Sequence, residues 1–321
     1  MSGRRHHTSK LMSFDDLTRV TTFGFRGEAL ASLCSVADVT MLTATEKDAP
    51  MGTLLEFAHD GSLKACDKRI ARQRGTSVTL LNLLSGLPVR RRELEKNVKR
   101  EFAKAHAMIQ SYALVSEGVR WASSVLLADG KRVSQLVVRA SSGPQYLQAN
   151  MAALFGTKAS AAMQSMNLDL SDDDHDDDIR MLGLVSKPAA GSGRSSGDRQ
   201  YFYLNGRPWE CPKLAHIFNQ VYRTFNATQF PCVIADLRLG RHAYDVNVSP
   251  DKRTLYLHEE AVLLERIRVA LEQVLEPSRS ILHVQNQAFE STPTPSEEAP
   301  KRSAPEATRD PPKSARTETC V

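Results

Sequence analysis

The stretch from Thr22 to Leu33, TFGFRGEALASL, decides the fold, because two glycines three positions apart precede an alanine-rich run. Gly24 and Gly27 can adopt backbone angles that other residues avoid, and they let another group approach the main chain closely. The run after them predicts a helix whose first turn offers N–H groups to a phosphate. On local physics alone, an ordinary turn with Glu28 at the positive end of the helix dipole remains an alternative.

The rest of the chain alternates between strand and helix patterns. Ser77 to Leu83 and Val133 to Arg139 have the composition of strands, and Glu93 to Glu117 carries apolar residues at helical spacing. The second half predicts a strand at 200–204, a turn at Asn205-Gly206, a helix at 212–225, strands at 231–239 and 244–248, and a helix at 259–275. Strands on one side and helices on the other predict an α/β sandwich.

Three segments interrupt this pattern. Ser171 to Asp178, SDDDHDDD, carries like charges that repel one another, so we expect a surface insertion, and its spacing does not match a calcium loop. Pro188 to Gly197 predicts a flexible loop. Beyond Asn286, six of the fifteen prolines fall among polar residues, which predicts a disordered tail.

Composition excludes several classes of protein. No stretch approaches the roughly 18 consecutive apolar residues of a membrane span. Met1 to Lys10 has no apolar segment of the kind found in a secretory signal, so we expect an intracellular protein. Five cysteines without a C-x-x-C pair argue against a disulfide scaffold and against a metal site. The net charge of +5 is compatible with a polyanionic partner such as DNA.

The segment GFRGEAL at 24–30, preceded by HHTSK at 6–10, resembles the signature of the MutL family of DNA mismatch-repair proteins. The same order of motifs continues with Gly75-Thr76, LPVRR at 87–91, the 193–208 segment ending in LNGRP, and DVNVSPDKR at 245–253. The resemblance covers about residues 6 to 281 and is closest to the eukaryotic post-meiotic-segregation branch.

The resemblance implies an α+β chain of three parts. Residues 1–111 would be a truncated ATPase domain of the gyrase, Hsp90, histidine kinase and MutL type. Residues 112–281 would be a transducer domain similar to domain 2 of ribosomal protein S5, and residues 282–321 the disordered tail. The implied cofactor is ATP, with magnesium in the complete family domain. The implied nucleotide-site residues are Thr8, Ser9 and Lys10 beside the nucleotide, Gly24, Phe25, Arg26 and Gly27 in the lid and phosphate loop, Gly75 and Thr76 at the base end, and Lys252 at the γ-phosphate.

The sequence departs from the family pattern at its start. Family members place a helix with a water-activating glutamate and a magnesium-binding asparagine before this region, followed by an Asp-Asn-Gly motif. Here only Met1 to Arg5 precede His6, and Asp-Asn-Gly is absent. We therefore expect that the chain as written does not hydrolyse ATP and that no catalytic residue lies in it. Two interpretations stay open: a truncated gene model, which we favour, and a divergent protein whose S5-like domain carries the remaining function.

The resemblance implies a nuclear mismatch-repair subunit that couples nucleotide state to dimerisation and to clamping of mismatched DNA. Its partners would be double-stranded DNA, a MutL homologue subunit and mismatch-recognition proteins, with no membrane. The candidate DNA-binding residues are Arg90, Arg91, Arg92, Lys96, Lys99 and Arg100, although the glutamates among them also fit a solvated helix face. The alternative function is a non-enzymatic DNA- or protein-binding module of the S5-like fold without nucleotide turnover.

Overall fold

The structure is a computed structural model that describes residues 3–8, 10, 24–171, 178–240, 243–245 and 256–276. The predicted tail at 282–321, residues 172–177 of the acidic run, Ser9 and Lys252 lie outside this set. No helix in the described part of the chain is long and apolar enough to cross a membrane.

The first sheet has four antiparallel strands in the order β3-β2-β1-β4, and one helix covers part of one face. The elements are α1 (Ala29–Val36), β1 (Asp38–Ala44), β2 (Met51–Phe57), β3 (Leu63–Ala71) and β4 (Gly75–Leu81). Val39 pairs with Phe57 and Met41 pairs with Leu55, so these four side chains share a face. They pack against Cys34 of α1, which anchors the helix to the sheet.

Two helices and a hairpin connect the first sheet to the second. Helix α2 (Pro88–Lys96) and helix α3 (Val98–Val115) are followed by β5 (Trp121–Leu126) and β6 (Arg132–Val138), which pair with each other. Sequence periodicity predicted one helix through this region. The structure interrupts it at Asn97, whose φ of −109° and ψ of 16° are not helical. The predicted domain boundary at 111/112 falls inside α3, and the division into domains stays a prediction.

The second sheet has five strands in the order β10-β9-β11-β8-β7. Its strands are β7 (Met163–Asp169), β8 (Arg180–Ser186), β9 (Gln200–Leu204), β10 (Arg207–Trp209) and β11 (Val233–Arg238). The helices in this part of the chain are α4 (Tyr146–Phe155), α5 (Thr157–Ala161) and α6 (Pro212–Phe225). Strands β9 and β11 are parallel, and α6 supplies the crossover that a parallel pair requires. A short hairpin of β12 (Tyr244–Asp245) and β13 (Tyr256–Leu257) leads into α7 (Glu260–Leu275).

Strand β9 shows how the second sheet divides the core into two layers. Phe202 and Leu204 point to the cluster formed with α6 and α7. Tyr203 points to the opposite cluster, formed with α3 and α4. Its hydroxyl donates to the carbonyl oxygen of Ser111 at 2.7 Å, and burial raises the pKa of this phenol well above its ordinary value. The alternation therefore places this sheet between two helical layers.

The 188–197 segment is irregular, as predicted, but it is held in place by hydrogen bonds. The N–H groups of Gly191 and Gly193 both donate to Oε1 of Gln229, at 3.0 and 3.3 Å. Arg194 forms an isolated antiparallel β-bridge with Phe230 and a bidentate ion pair with the carboxylate of Asp198. The sequence pattern indicated flexibility because glycine and serine dominate it, whereas two of the partners, Gln229 and Phe230, lie far along the chain.

Candidate nucleotide site and nucleic-acid interface

The glycine loop before α1 is built around one buried aromatic side chain. Phe25 is buried, and the guanidinium carbon of Arg26 lies 6.0 Å from the centroid of its ring. Helix α1 then begins at Ala29, with no acidic residue in its first turn. The positive helix end and Arg26 favour an anion, whereas the carboxylate of Glu28, the N-cap residue of α1, opposes one.

Gly27 is where the HHTSK and GFRGE segments meet. Its φ is +67°, and a Cβ atom there would lie 2.6 Å from the carbonyl oxygen of His7 and 2.8 Å from its carbonyl carbon. Both neighbours are main-chain atoms, so no rotamer change could make room. The structure therefore requires glycine at 27, because the 6–8 segment packs directly on the loop.

Lys10 brings a second cation to the same loop. Its ammonium nitrogen lies 4.0 Å from the position that a Cβ on Gly24 would occupy, and no other described atom beyond the chain neighbours of Gly24 is as close. The backbone N–H of Lys10 donates to the Thr8 hydroxyl at 3.2 Å. The structure thus brings together Thr8, Lys10, Gly24 and Gly27, and Arg26 lies in the same loop. Flexible glycine backbone with cations beside it is a donor set that fits a phosphate group.

The described contacts do not bring Gly75 and Thr76 to the glycine loop. They begin β4 and pair with Ala44 and Thr43 at the end of β1, and β1 starts next to the C-terminal end of α1. Gly75 has a φ of +137°, and the Thr76 hydroxyl lies 2.8 Å from that of Thr43. Their role at the base end of the nucleotide site stays a prediction.

Ser9 and Lys252 are predicted site residues that lie outside the described residues. Lys252 belongs to the connection between β12 and β13, which pair antiparallel through Tyr244 with Leu257 and Asp245 with Tyr256. The predicted approach of Lys252 to the γ-phosphate therefore remains a prediction from the family resemblance.

The six cations predicted to bind DNA are all exposed on α2 and α3, but they differ in their partners. Arg91 forms an ion pair with Glu95 at 3.0 Å, and Arg100 pairs with Glu101 at 3.2 Å. No ion pair is found in the described part of the chain for Arg90, Arg92, Lys96 and Lys99. These four, which we call the free cations of α2–α3, can contact phosphates without first breaking an ion pair.

Sequence reasoning missed a polar cavity of about 320 Å³ beside the turn between β9 and β10. Its deepest carboxylate, Asp236, accepts hydrogen bonds from the N–H of Gly206 at 2.8 Å and from Nε of Arg238 at 3.1 Å. Burial raises the pKa of Asp236, and these two donors oppose the increase. Tyr146 and Glu117 complete the wall. The Asn205-Gly206 turn was the available signal, and its positive φ values of 48° and 75° confirm that turn.

Potential metal ligands are scattered over the described ranges. Within those ranges, no three histidine, cysteine, aspartate or glutamate side chains come close enough together to hold a metal ion.

Comparison with known proteins gives consistent matches. The family model described as "DNA mismatch repair protein, C-terminal domain" matches residues 151–276. "DNA mismatch repair protein PMS1" of Arabidopsis thaliana is 38% identical over 276 residues, which are 86% of this chain and 29% of that protein. "Mismatch repair endonuclease PMS2" of Homo sapiens is 37% identical over 297 residues, covering 88% of this chain and 34% of that protein. The chain therefore spans about a third of the length of these relatives.

A solved structure extends the likeness to the fold. "Crystal Structure of N terminal domain of a DNA repair protein" matches with a TM-score of 0.73 and 34% identity, over 83% of this chain and 80% of the other. Because this match covers most of the chain, the predicted fold class of a mixed α and β chain is confirmed.

Proposed function

The chain belongs to the MutL family of DNA mismatch-repair proteins, and we propose that its part in repair is to bind ATP and contact DNA. The proposal that the chain binds ATP rests on one observation, the packing of the 6–8 segment on Gly27 with Lys10 near Gly24. Two separate segments of the chain thereby meet at the start of α1. The bound phosphates would face Lys10, Arg26 and the loop backbone, with Ser9 and Lys252 completing the site.

ATP supplies the phosphates whose presence or absence sets the state of the complex. This chain's residues hold and orient those phosphates: the glycines permit close approach, and Lys10 and Arg26 balance the charge. We further propose that the complex includes a MutL homologue subunit and mismatch-recognition proteins, and that it works in the nucleus on mismatched DNA.

Nucleotide binding is tested with a fluorescent ATP analogue titrated into the full chain, with and without magnesium. Lys10→Ala should weaken binding, because it removes a cation beside the loop. Lys47→Ala is the matched control, since it removes an exposed lysine from the turn between β1 and β2. Equal affinities for these two variants, or no binding by the wild-type chain, would exclude the proposed site.

The DNA half rests on the free cations of α2–α3. Arg92 and Lys96 lie four residues apart on one face of α2, so both can reach one duplex backbone. Sequence-independent phosphate contacts suit a protein that must act on any sequence, and they release counterions when they form.

A double variant, Arg92→Ala with Lys96→Ala, should weaken duplex binding evenly across sequences. Its plot of log affinity against log salt should be shallower by about 2 units. The control, Lys131→Ala with Lys158→Ala, removes the same charge from exposed positions elsewhere. A loss no greater than that of the control would refute the DNA assignment. If DNA affinity depends on salt but is the same with and without nucleotide, the alternative of a DNA-binding module without nucleotide turnover is favoured instead.

A further inference from the structure

Strand β11 carries a buried carboxylate at a position where the core favours an apolar side chain. Ile234 and Asp236 alternate along the strand, so both point to the side of the sheet on which α3 and α4 pack. Ile234 belongs to the apolar cluster there, whereas Asp236 is 4% exposed and ionisable. A buried carboxylate costs free energy unless hydrogen-bond donors surround it, so packing alone does not explain Asp236.

The described part of the chain supplies Asp236 with two donors. The N–H of Gly206 lies 2.8 Å from Oδ1, and Nε of Arg238 lies 3.1 Å from Oδ2. An ionised carboxylate accepts about four hydrogen bonds when all of its lone pairs are used. About half of this capacity is therefore left for a group in the polar cavity that Asp236 lines.

A second acceptor without a donor lies behind the wall of the same cavity. Asn150, on α4, is 0% exposed, and its amide nitrogen donates to the carbonyl oxygens of Leu114 and Ser116 at 3.1 and 3.0 Å. These two residues flank Val115, which lines the cavity. Within the described residues, Oδ1 of Asn150 has no partner. Buried acceptors without a donor are rare in folded proteins, so this part of the core has acceptors in excess.

Glu117 adds a second carboxylate to the cavity wall. Its Oε1 accepts a hydrogen bond from the N–H of Gly143 at 2.9 Å, which holds the side chain in place. Among the lining residues, Arg238 is the cation that opposes Glu117 and Asp236. Two carboxylates against one guanidinium give the wall a net negative charge, which favours a cationic ligand.

The cavity also has a position in the sheet that suits a binding site. Strands β9 and β11 are parallel, Asn205 and Gly206 directly follow β9, and Asp236 and Arg238 lie in the last three residues of β11. The cavity therefore lies at the carboxyl ends of two parallel strands. Sheets with helical crossovers usually bind their ligands at this edge.

We propose that this cavity binds a primary ammonium group, whose N–H bonds the carboxylates of Asp236 and Glu117 accept. An ammonium combines one positive charge with three donors, which matches a wall with excess acceptors and net negative charge. A compact ammonium also fits beside the planar guanidinium of Arg238, which already donates to Oδ2 of Asp236. A lysine side chain of a partner protein and a free polyamine both present such a group. The site needs neither nucleotide nor DNA, and it stands apart from the proposed function.

Calorimetric titration of the full chain with putrescine, at fixed ionic strength and without nucleotide or DNA, tests the site. A pH of 8 favours the ionised form of Asp236, whose pKa burial raises. The control ligand is permethylated putrescine, which keeps both charges but has no N–H. We expect saturable binding of an amine and none of the permethylated form. Failure of both putrescine and Nα-acetyl-lysine amide to bind would overturn the proposal, and so would equal binding of the permethylated form.

The two amines separate the sources of the ammonium group. Tighter binding of Nα-acetyl-lysine amide than of putrescine would support the site and assign it to a lysine side chain of a partner. Tighter binding of putrescine would support the site and assign it to a polyamine.

Glu117→Gln tests the wall without removing a structural hydrogen bond, because the amide oxygen still accepts from Gly143. We expect it to weaken amine binding at least about fivefold, since a hydrogen bond to a charged group is replaced by a neutral one. Glu93→Gln, at an exposed position on α2, removes the same charge and should bind like the wild type. Equal affinities of these two variants would show that the amine does not contact this wall.

Asp236→Asn gives a second test, with urea denaturation to show that the variant is folded. The amide oxygen still accepts one hydrogen bond, while the buried charge is lost. A folded Asp236→Asn variant should bind the amine at least about fivefold more weakly than the wild type. Wild-type affinity in that folded variant would overturn the proposal.

Discussion

Replacing Gly27 by alanine tests the geometry of the candidate nucleotide site most directly. At a φ of +67°, an alanine costs about 1 kcal/mol or more relative to glycine. Its Cβ would also lie 2.6 Å from the carbonyl oxygen of His7, a main-chain atom that cannot rotate away. Overpacking of this kind costs roughly 1–3 kcal/mol. The sum is a loss of at least about 2 kcal/mol in unfolding free energy, relieved only if the 6–8 segment separates from the loop.

Two other glycines separate these contributions. Gly130, in the turn between β5 and β6, has a φ of +81°, but no atom lies within 4 Å of the position that a Cβ would occupy, so Gly130→Ala carries the backbone cost alone. Among the described atoms beyond its chain neighbours, the Cβ of Gly24→Ala would meet the Lys10 ammonium alone, at 4.0 Å, so the variant should change stability by less than about 0.5 kcal/mol.

Urea denaturation of the three variants, followed by titration of a fluorescent ATP analogue, provides the measurement. We expect Gly27→Ala to be the least stable and to lose nucleotide affinity, Gly130→Ala to lose about 1 kcal/mol with affinity intact, and Gly24→Ala to stay close to wild type. If Gly27→Ala is as stable as Gly130→Ala, the 6–8 segment does not pack on the loop. If it is less stable yet binds nucleotide normally, the packing is structural and the site lies elsewhere.

Three further predictions concern the second sheet. The Arg194 guanidinium holds the pKa of Asp198 at about 2, below its ordinary 3.8. The folded chain thus favours the ionised form, and this stabilisation is complete above about pH 4 and disappears toward pH 2. The protection of the amides at residues 191–194, measured as exchange relative to the intrinsic rate at each pH, should fall over that range, and Asp198→Asn should remove this pH dependence. Tyr203→Phe should cost about 1–2 kcal/mol in urea unfolding, because it leaves the Ser111 carbonyl without this donor, and unchanged stability would contradict that. Gly183→Ala places a Cβ 1.8 Å from the carbonyl oxygen of Ile234, so it should cost about 3 kcal/mol or more, and a variant of wild-type stability would disprove the packing of β8 on β11.

Residues that favour turns or the first position of a helix explain which elements the sequence could predict. Strand 200–204 ends at Asn205-Gly206, and helix 212–225 begins with a proline at its first position; both elements have the predicted limits. The prediction of one long helix at 93–117 was wrong in one respect, because the structure has a break between two helices at Asn97. Asn97 is neither glycine nor proline, the residues that usually indicate such a break. Apolar periodicity continues across the break, so the pattern could not locate it.

The candidate site depends on contacts that no local pattern contains. Gly24 and Gly27 have the same residue type and lie in the same motif, yet among the described residues only Gly27 lies against main-chain atoms of another segment. The difference arises from His7, which precedes Gly27 by twenty residues. Family resemblance named both segments as parts of one site, and the structure adds which glycine cannot be replaced.

The cations of α2–α3 show the same limit for electrostatics. The sequence contains six basic residues among glutamates and cannot distinguish a DNA surface from a solvated helix face. Side-chain geometry divides the six, since Arg91 and Arg100 already satisfy carboxylates at 3.0 and 3.2 Å. Exposed ion pairs of this kind contribute no more than about 1 kcal/mol, so pairing weakens but does not forbid a phosphate contact. The free cations should therefore have their greatest advantage over Arg91 and Arg100 at low salt, because added salt screens the two exposed ion pairs and frees their arginines for phosphate.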